Sequence, residues 1–207
     1  MKSSTLPTEG AMGIRQEHKA ATLKDIQRSA LDLVERYGLE NITIGRIAAE
    51  AGVADRTFFR YCESKEAAIL PKHDDLYAAI TRCSLPSNAD GAQIFKLLLP
   101  VCREAFVSSV QNTDFRRISQ LILKEPKLAA FAKQEEQRLV EVVQEHLEGH
   151  GLDAMQSLLI GELVATTWRA AWQRFAVEDQ LGHDADPVAL YDQSISTLGQ
   201  LCQGLSE

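Results

Sequence analysis

Between residues 43 and 62 the chain reads TIGRIAAEAGVADRTFFRYC, and its reactive side chains there are hydrogen-bond donors and acceptors rather than the parts of a catalyst. Asp55, Arg56, Thr57, Arg60 and Tyr61 crowd into one short stretch. An arginine guanidinium can bridge O6 and N7 of guanine, and threonine and tyrosine hydroxyls can meet phosphates or base edges. The chain has no G-x-S-x-G, no P-loop, no G-x-G-x-x-G and no H-E-x-x-H, so no enzyme and no cofactor is expected. The chemistry these residues suit is recognition of double-stranded DNA.

Such a surface must be held by two helices and a tight turn. Thr43 can cap a helix whose apolar stripe is Ile44, Ile47, Ala48 and Ala51. Gly52 stops it with backbone angles that other residues resist, and Val53 plugs the angle. A second short helix, about 54–61, then carries Asp55 to Tyr61 outward, which is the grammar of a helix-turn-helix. An ordinary helical hairpin with a charged face is the alternative reading. Upstream, Leu23, Ile26, Ala30, Leu33, Val34 and Tyr37 mark one helix face, with Thr22 as its expected N-cap and Gly38 as its end. Residues 1–19 are polar and aperiodic and are expected to form a mobile arm. Ser64 caps a fourth helix starting at Lys65, with a break or kink near Leu70 imposed by Pro71 and helix resuming through Leu76 to Cys83.

The 207 residues hold 25 Ala and 25 Leu against 11 Val and 12 Ile, a balance that favours helices and predicts an all-α chain. The most apolar stretch, Ile94 to Cys102, contains Lys96 and Pro100, so no membrane span is expected. The first sixteen residues lack a signal-type apolar core, which places the protein in the cytoplasm. Cys62, Cys83, Cys102 and Cys202 stand far apart and read as reduced thiols rather than metal ligands. The net charge of −7 argues against a protein that coats nucleic acid. It is unevenly spread: residues 1–62 carry nine Lys and Arg against eight Asp and Glu, and the remainder thirteen against twenty-one. One face can therefore meet phosphate while the rest repels it.

Beyond a loop at 84–88, breakers divide the chain into long amphipathic helices: 89–110 kinked at Pro100, 115–124, 127–147, 153–177 and a last one opened by Asp186-Pro187. In that last helix Val188, Tyr191, Ile195, Leu198, Cys202 and Leu205 recur at steps of three and four. The seam suits packing across a two-fold axis, and equally packing within one chain. Trp168, Trp172 and Phe175 share one helix face and read either as core filling or as the wall of an effector pocket completed by Phe95, Cys102, Phe106, Leu121 and Phe131. His146 and His150 have metal-ligand spacing, but Gly149 and Gly151 end the helix around them, so no metal is expected.

The block from Leu23 to Leu70 resembles the DNA-binding domain of the TetR family of bacterial transcription regulators. The resemblance rests on Tyr37-Gly38, Thr43-Ile44, Ile47-Ala48, Ala51-Gly52-Val53, Thr57-Phe58, Arg60-Tyr61 and Ser64-Lys65-Glu66-Ala67. It implies an N-terminal three-helix helix-turn-helix domain, residues 20–70, and a C-terminal helical ligand-binding and dimerisation domain, residues 71–207. It further implies phosphate contacts from Thr43 and Lys65, a recognition surface of Asp55, Arg56, Thr57, Arg60 and Tyr61 with Arg46 beside it, and a four-helix dimer bundle from the last two long helices. Three residues depart from the family pattern: Phe59 where a tyrosine usually offers phosphate a hydroxyl, Cys62 where phenylalanine is common, and Ala54 in place of a serine cap. The function implied is a homodimeric repressor released from a palindromic operator by a small-molecule effector. A helical ligand-binding or adaptor protein that has lost DNA binding is the alternative.

Overall fold

The computed structural model describes residues 9–70 and 73–203, all of it helix, turn and coil. The order is α1 (Glu9–Tyr37), a 3-10 turn (Leu39–Asn41), α2 (Ile44–Glu50), α3 (Asp55–Tyr61), α4 (Lys65–Ile69), α5 (Asp74–Arg82), α6 (Gly91–Val110), α7 (Phe115–Lys124), α8 (Pro126–Gly149), α9 (Ala154–Gln180) and α10 (Pro187–Gln203). The fold is all-α. The chain divides into two compact units, Met1–Pro71 and Lys72–Glu207.

In the first unit α1 packs on α2 and α4, and α2 on α3. The middle of the stripe foreseen on α1 is buried, with Ile26, Ala30, Leu33 and Val34 all at or below 3% exposure, while Leu23 is half-buried and Tyr37, expected on the same face, is exposed. The buried four share the interior with Ile47, Ala48, Phe58 and Ile69. The Gln27 amide crosses to α4's end and donates to the Ile69 carbonyl at 3.1 Å, inside the domain.

The start of α1 differs from the expectation. The helix begins at Glu9, so residues 9–19 of the foreseen arm are helical. Thr22 is not an N-cap; it lies inside α1 and its hydroxyl donates to the His18 carbonyl at 2.8 Å. The reason lies in the backbone: residues 9–22 are rich in Ala, Glu, Gln, Lys and Met, which sustain a helix with no apolar stripe to announce it. Residues 1–8 of that arm, and Pro71 with its expected break, lie outside the described residues. On either side of Pro71, α4 ends at Ile69 and α5 begins at Asp74.

In the second unit α9 is the central helix, packed against α6, α7, α8 and α10, while α5 packs on α6 and α8. The α8–α9 contact is close. A Cβ built on Gly161 would stand 3.0 Å from the Val140 carbonyl oxygen, so this position holds glycine because two backbones meet there. Asp90 and Gln93 form a reciprocal capping box at the start of α6, and Asp153 accepts from the Met155 and Gln156 amides at the start of α9. The Ser194 hydroxyl fastens α10 to α9 by donating to the Thr167 carbonyl at 3.1 Å.

Candidate nucleic-acid interface

The corner between α2 and α3 is built by capping at each end. The Thr43 hydroxyl accepts from the Arg46 amide at 3.2 Å, satisfying a donor at the start of α2. At the other end the Gly52 amide donates to the Ala49 carbonyl at 3.1 Å and the Val53 amide to the Ala48 carbonyl at 2.9 Å. This pair of bonds is a Schellman ending and requires its middle residue in the left-handed region, where Gly52 has φ of 68°. Ala54 has no side chain with which to cap α3, and its carbonyl receives the Thr57 and Phe58 amides instead. Phe58 is the pin: it is wholly buried and fixes which face of α3 turns inward.

With Phe58 inward, Asp55, Arg56, Phe59 and Arg60 stand exposed and Thr57 and Tyr61 lie half-buried at the flanks. The foreseen surface is thus present on one short helix, though its two hydroxyl residues sit at the edge. Arg60 leans on its neighbour: its guanidinium donates to the Tyr61 hydroxyl at 3.2 Å and lies 4.8 Å from that ring's centroid. Arg46 on α2 is exposed, with its guanidinium 3.9 Å above the Tyr37 ring. That stacking holds the cation over the end of α1 while its donors stay in solvent. Cys62, at the end of α3, is buried, and desolvation pushes its thiol up to about 11.

Lys65 departs from the expected role. Its ammonium turns into the domain and donates to the Leu39 carbonyl at 2.5 Å and the Ile42 carbonyl at 3.3 Å. It locks the turn between α1 and α2 to the start of α4, which Ser64 caps by accepting from the Ala67 amide at 3.0 Å. A lysine one residue past a cap reads in sequence as a dipole-neighbouring cation; the carbonyls it reaches lie 26 and 23 residues away. Phe59, which stands where the resemblance puts a phosphate-facing tyrosine, has an exposed ring. A signal for it exists, because Phe58 and Phe59 are adjacent on a helix and 100° apart, so one of the two rings must leave the core.

Residues 26–69 match the family model for bacterial regulatory proteins of the TetR family. Over that segment, about a fifth of the chain, the sequence is similar to the TetR family. Its 67-residue stretch of likeness to the HTH-type transcriptional regulator TcmR of Streptomyces glaucescens is 39% identical and spans 32% of this chain and 30% of TcmR, under a third of the relative's length. The fold is shared over a longer range. A protein from Syntrophomonas wolfei assigned to the TetR-family transcriptional regulators superposes with a TM-score of 0.58 at 19% identity, over 89% of this chain and 96% of the other. NalD of Pseudomonas aeruginosa, the secondary repressor of the MexAB-OprM multidrug efflux pump, does so at 0.51 and 14% identity, over 86% and 96%.

In the second unit, four of the aromatic residues foreseen as pocket walls, Phe106, Trp168, Trp172 and Phe175, form one connected ring cluster with Phe115 and Tyr191. Phe106 lies parallel to Tyr191 at 4.7 Å between ring centroids and edge-on to Trp168 at 5.1 Å. Phe115 joins it at 6.3 Å and reaches Trp172 at 4.2 Å. Cys102 is buried in the same cluster, its thiol pushed up to about 12 by desolvation, and Phe95 packs partly buried against it. Leu121 and Phe131 do not join the cluster. A surface depression of about 400 Å³ lies instead between α6 and α10, lined by Lys96, Leu99, Pro100, Arg103, Asp192 and Ile195. Arg103 spans it with paired bonds to Asp192, Nε to Oδ1 at 2.7 Å and Nη2 to Oδ2 at 2.8 Å.

The seam foreseen as a dimer interface faces inward in its first half. Tyr191 has no exposed surface, because it is stacked on Phe106 within its own chain, and it cannot touch a second copy. Ile195 packs against the same core. Val188 and Leu198 are half-buried, Cys202 is exposed, and Leu205 lies outside the described residues. His146 turns its Nε2 to the Cys83 carbonyl at 3.2 Å, and burial lowers its pKa. Among the described residues no group of three or more His, Cys, Asp or Glu is placed to hold a metal ion.

Proposed function

We propose that the protein is a transcriptional regulator that binds a palindromic operator as a homodimer and leaves it when a small-molecule effector occupies the C-terminal unit. The observation that carries this reading is the outward face of α3, where Arg56 and Arg60 are exposed on a helix pinned by Phe58 and aimed by the Gly52 turn. A helix of that width enters the major groove, where a guanidinium can bridge guanine O6 and N7. Thr43 and Arg46, at the start of α2, are suited to backbone phosphates, and Thr57 and Tyr61 to the groove edges. Two recognition helices must stand about 34 Å apart to enter successive major grooves, which calls for a two-fold dimer. DNA binding belongs in this reading to residues 20–70, effector binding and dimerisation to 71–207. TcmR is a regulator and NalD a repressor, which supports a regulatory rather than an enzymatic role. No described helix is long and apolar enough to cross a membrane.

An effector can loosen the complex only by its different affinity for the dimer geometries that fit and do not fit the operator; about 2.7 kcal/mol of difference is a hundredfold. The test is selection of bound duplexes from random DNA with the full-length protein, repeated with a metabolite extract. The expected result is an inverted repeat whose recovery fails with extract. Arg56→Ala and Arg60→Ala should each abolish the specific shift while leaving helicity and oligomeric mass unchanged. Variants that shift the selected duplex as well as the parent would overturn the assignment of that face.

A further inference from the structure

Phe59 is 58% exposed on α3, directly beside Arg56 and Arg60. One edge of its ring rests on Phe58, with centroids 5.8 Å apart and planes at 85°, so the ring is braced at its base and open at its far side. The other large exposed aromatic of this unit, Tyr37, lies under the Arg46 guanidinium. No comparable cation covers Phe59 among the described residues. A phenyl ring has no donor for a phosphate oxygen and no acceptor for a base amine. Held in a major groove by two flanking guanidiniums, it can gain only by burying itself against something apolar. In DNA bases the major groove offers one such feature, the C5 methyl of thymine.

We propose that Phe59 is a specificity-determining residue that selects thymine in each operator half-site by packing on its methyl group. The inference rests on the DNA-binding reading above and extends it to the base recognised. Burial of one methyl corresponds to about a fourfold gain in affinity, so the two half-sites of a palindrome together give about fifteenfold.

The test uses the full-length protein and the duplex recovered by selection, resynthesised with deoxyuridine in place of each thymine in turn. Deoxyuridine removes the methyl and leaves pairing and hydrogen-bonding edges as they were. For the parent protein, one symmetric pair of replacements should weaken binding about fifteenfold at fixed salt, while the others change little. Phe59→Ala should bind the thymine duplex that much more weakly and lose the difference between thymine and uracil; Phe59→Tyr, which keeps the ring, should retain it. Because the ring is exposed, both variants should keep the parent's circular dichroism. A selected operator bound equally well with uracil at every position, or a Phe59→Ala protein as methyl-sensitive as the parent, overturns this inference and leaves the DNA reading standing. Recovery of no preferred sequence overturns both.

Discussion

Lys65→Met separates two tasks that one cation can perform on this domain. In the structure the ammonium binds the Leu39 and Ile42 carbonyls at 2.5 and 3.3 Å, bridging α4 to the connection between α1 and α2. A hydrogen bond from a charged donor is worth about 1.5–3 kcal/mol net. The longer bond lies beyond the usual N–H···O range and adds little. Methionine keeps the packing of the stem, so the loss is that of one strong bond at a half-buried site, about 2 kcal/mol. That corresponds to roughly thirtyfold faster amide exchange wherever the bond limits opening. Hydrogen exchange of the full-length chain, followed by mass spectrometry over residues 38–47, reads this directly. For a unit of some seventy residues the same loss lowers the midpoint of thermal unfolding by roughly 8–16 °C.

A phosphate ligand would behave otherwise. Its removal would leave exchange over 38–47 at the parent rate and flatten the plot of log affinity against log salt by about 0.9 per protomer. Unchanged exchange together with that flattening would refute the structural role and restore Lys65 to the DNA surface.

Gly52→Ala should destabilise the first unit by about 1–2 kcal/mol, read as a lower denaturation midpoint. Nothing lies within 4 Å of the added Cβ, so the cost is purely that of holding φ at 68°, and a variant as stable as the parent would contradict the turn geometry. The thiols should separate by burial: at pH 8 an alkylating reagent should label exposed Cys202 and half-buried Cys83 first, and Cys62 and Cys102 only in denaturant. Burial raises Cys62 and Cys102 from an ordinary 9.0 to about 11 and about 12, so the folded chain keeps protons that the unfolded chain releases. Their contribution to stability is therefore full below pH 9 and falls as pH rises toward 12, which unfolding midpoints measured across that range will show.

What the sequence made legible was local. Thr43, Gly52 and Ser64 act within four residues of themselves, through a cap or a backbone angle, and the helices they delimit stand where those residues put them. Which face of α3 stands exposed was legible for the same reason: seven residues of helix leave little freedom once Phe58 is buried. The early start of α1 was not, because propensity without an apolar stripe leaves no periodic trace. The carbonyl partners of Lys65 were not legible because they come from the far side of a tertiary contact, which spacing cannot express. The aromatic residues of α6 and α9 could be sorted by face, but only coordinates distinguish rings that line a space from rings that fill it with one another.

The α10 seam makes the same point with a consequence for mechanism. A three-four repeat states that a helix edge will be buried; it does not state by which chain. Here Tyr191 and Ile195 spend that edge on the chain's own core, so the outward side of α10 is left to Ala189, Gln193, Ser196, Thr197 and Gln200. Two copies pairing as proposed must then use that small, polar side together with the apolar residues exposed along α9 and α10, Met155, Leu158, Leu159, Val177 and Leu201, and Leu181 at the end of α9. Small side chains permit close approach of helices but contribute little buried apolar area. On this arrangement α10 has its inner face on the Phe106–Tyr191 stack and its outer face on the two-fold axis. A helix moves as a unit, so an effector that parts Phe106 from Tyr191 displaces α10 and with it the outer face. The coupling between ligand and the two-fold axis would then need no chain of contacts longer than the width of one helix.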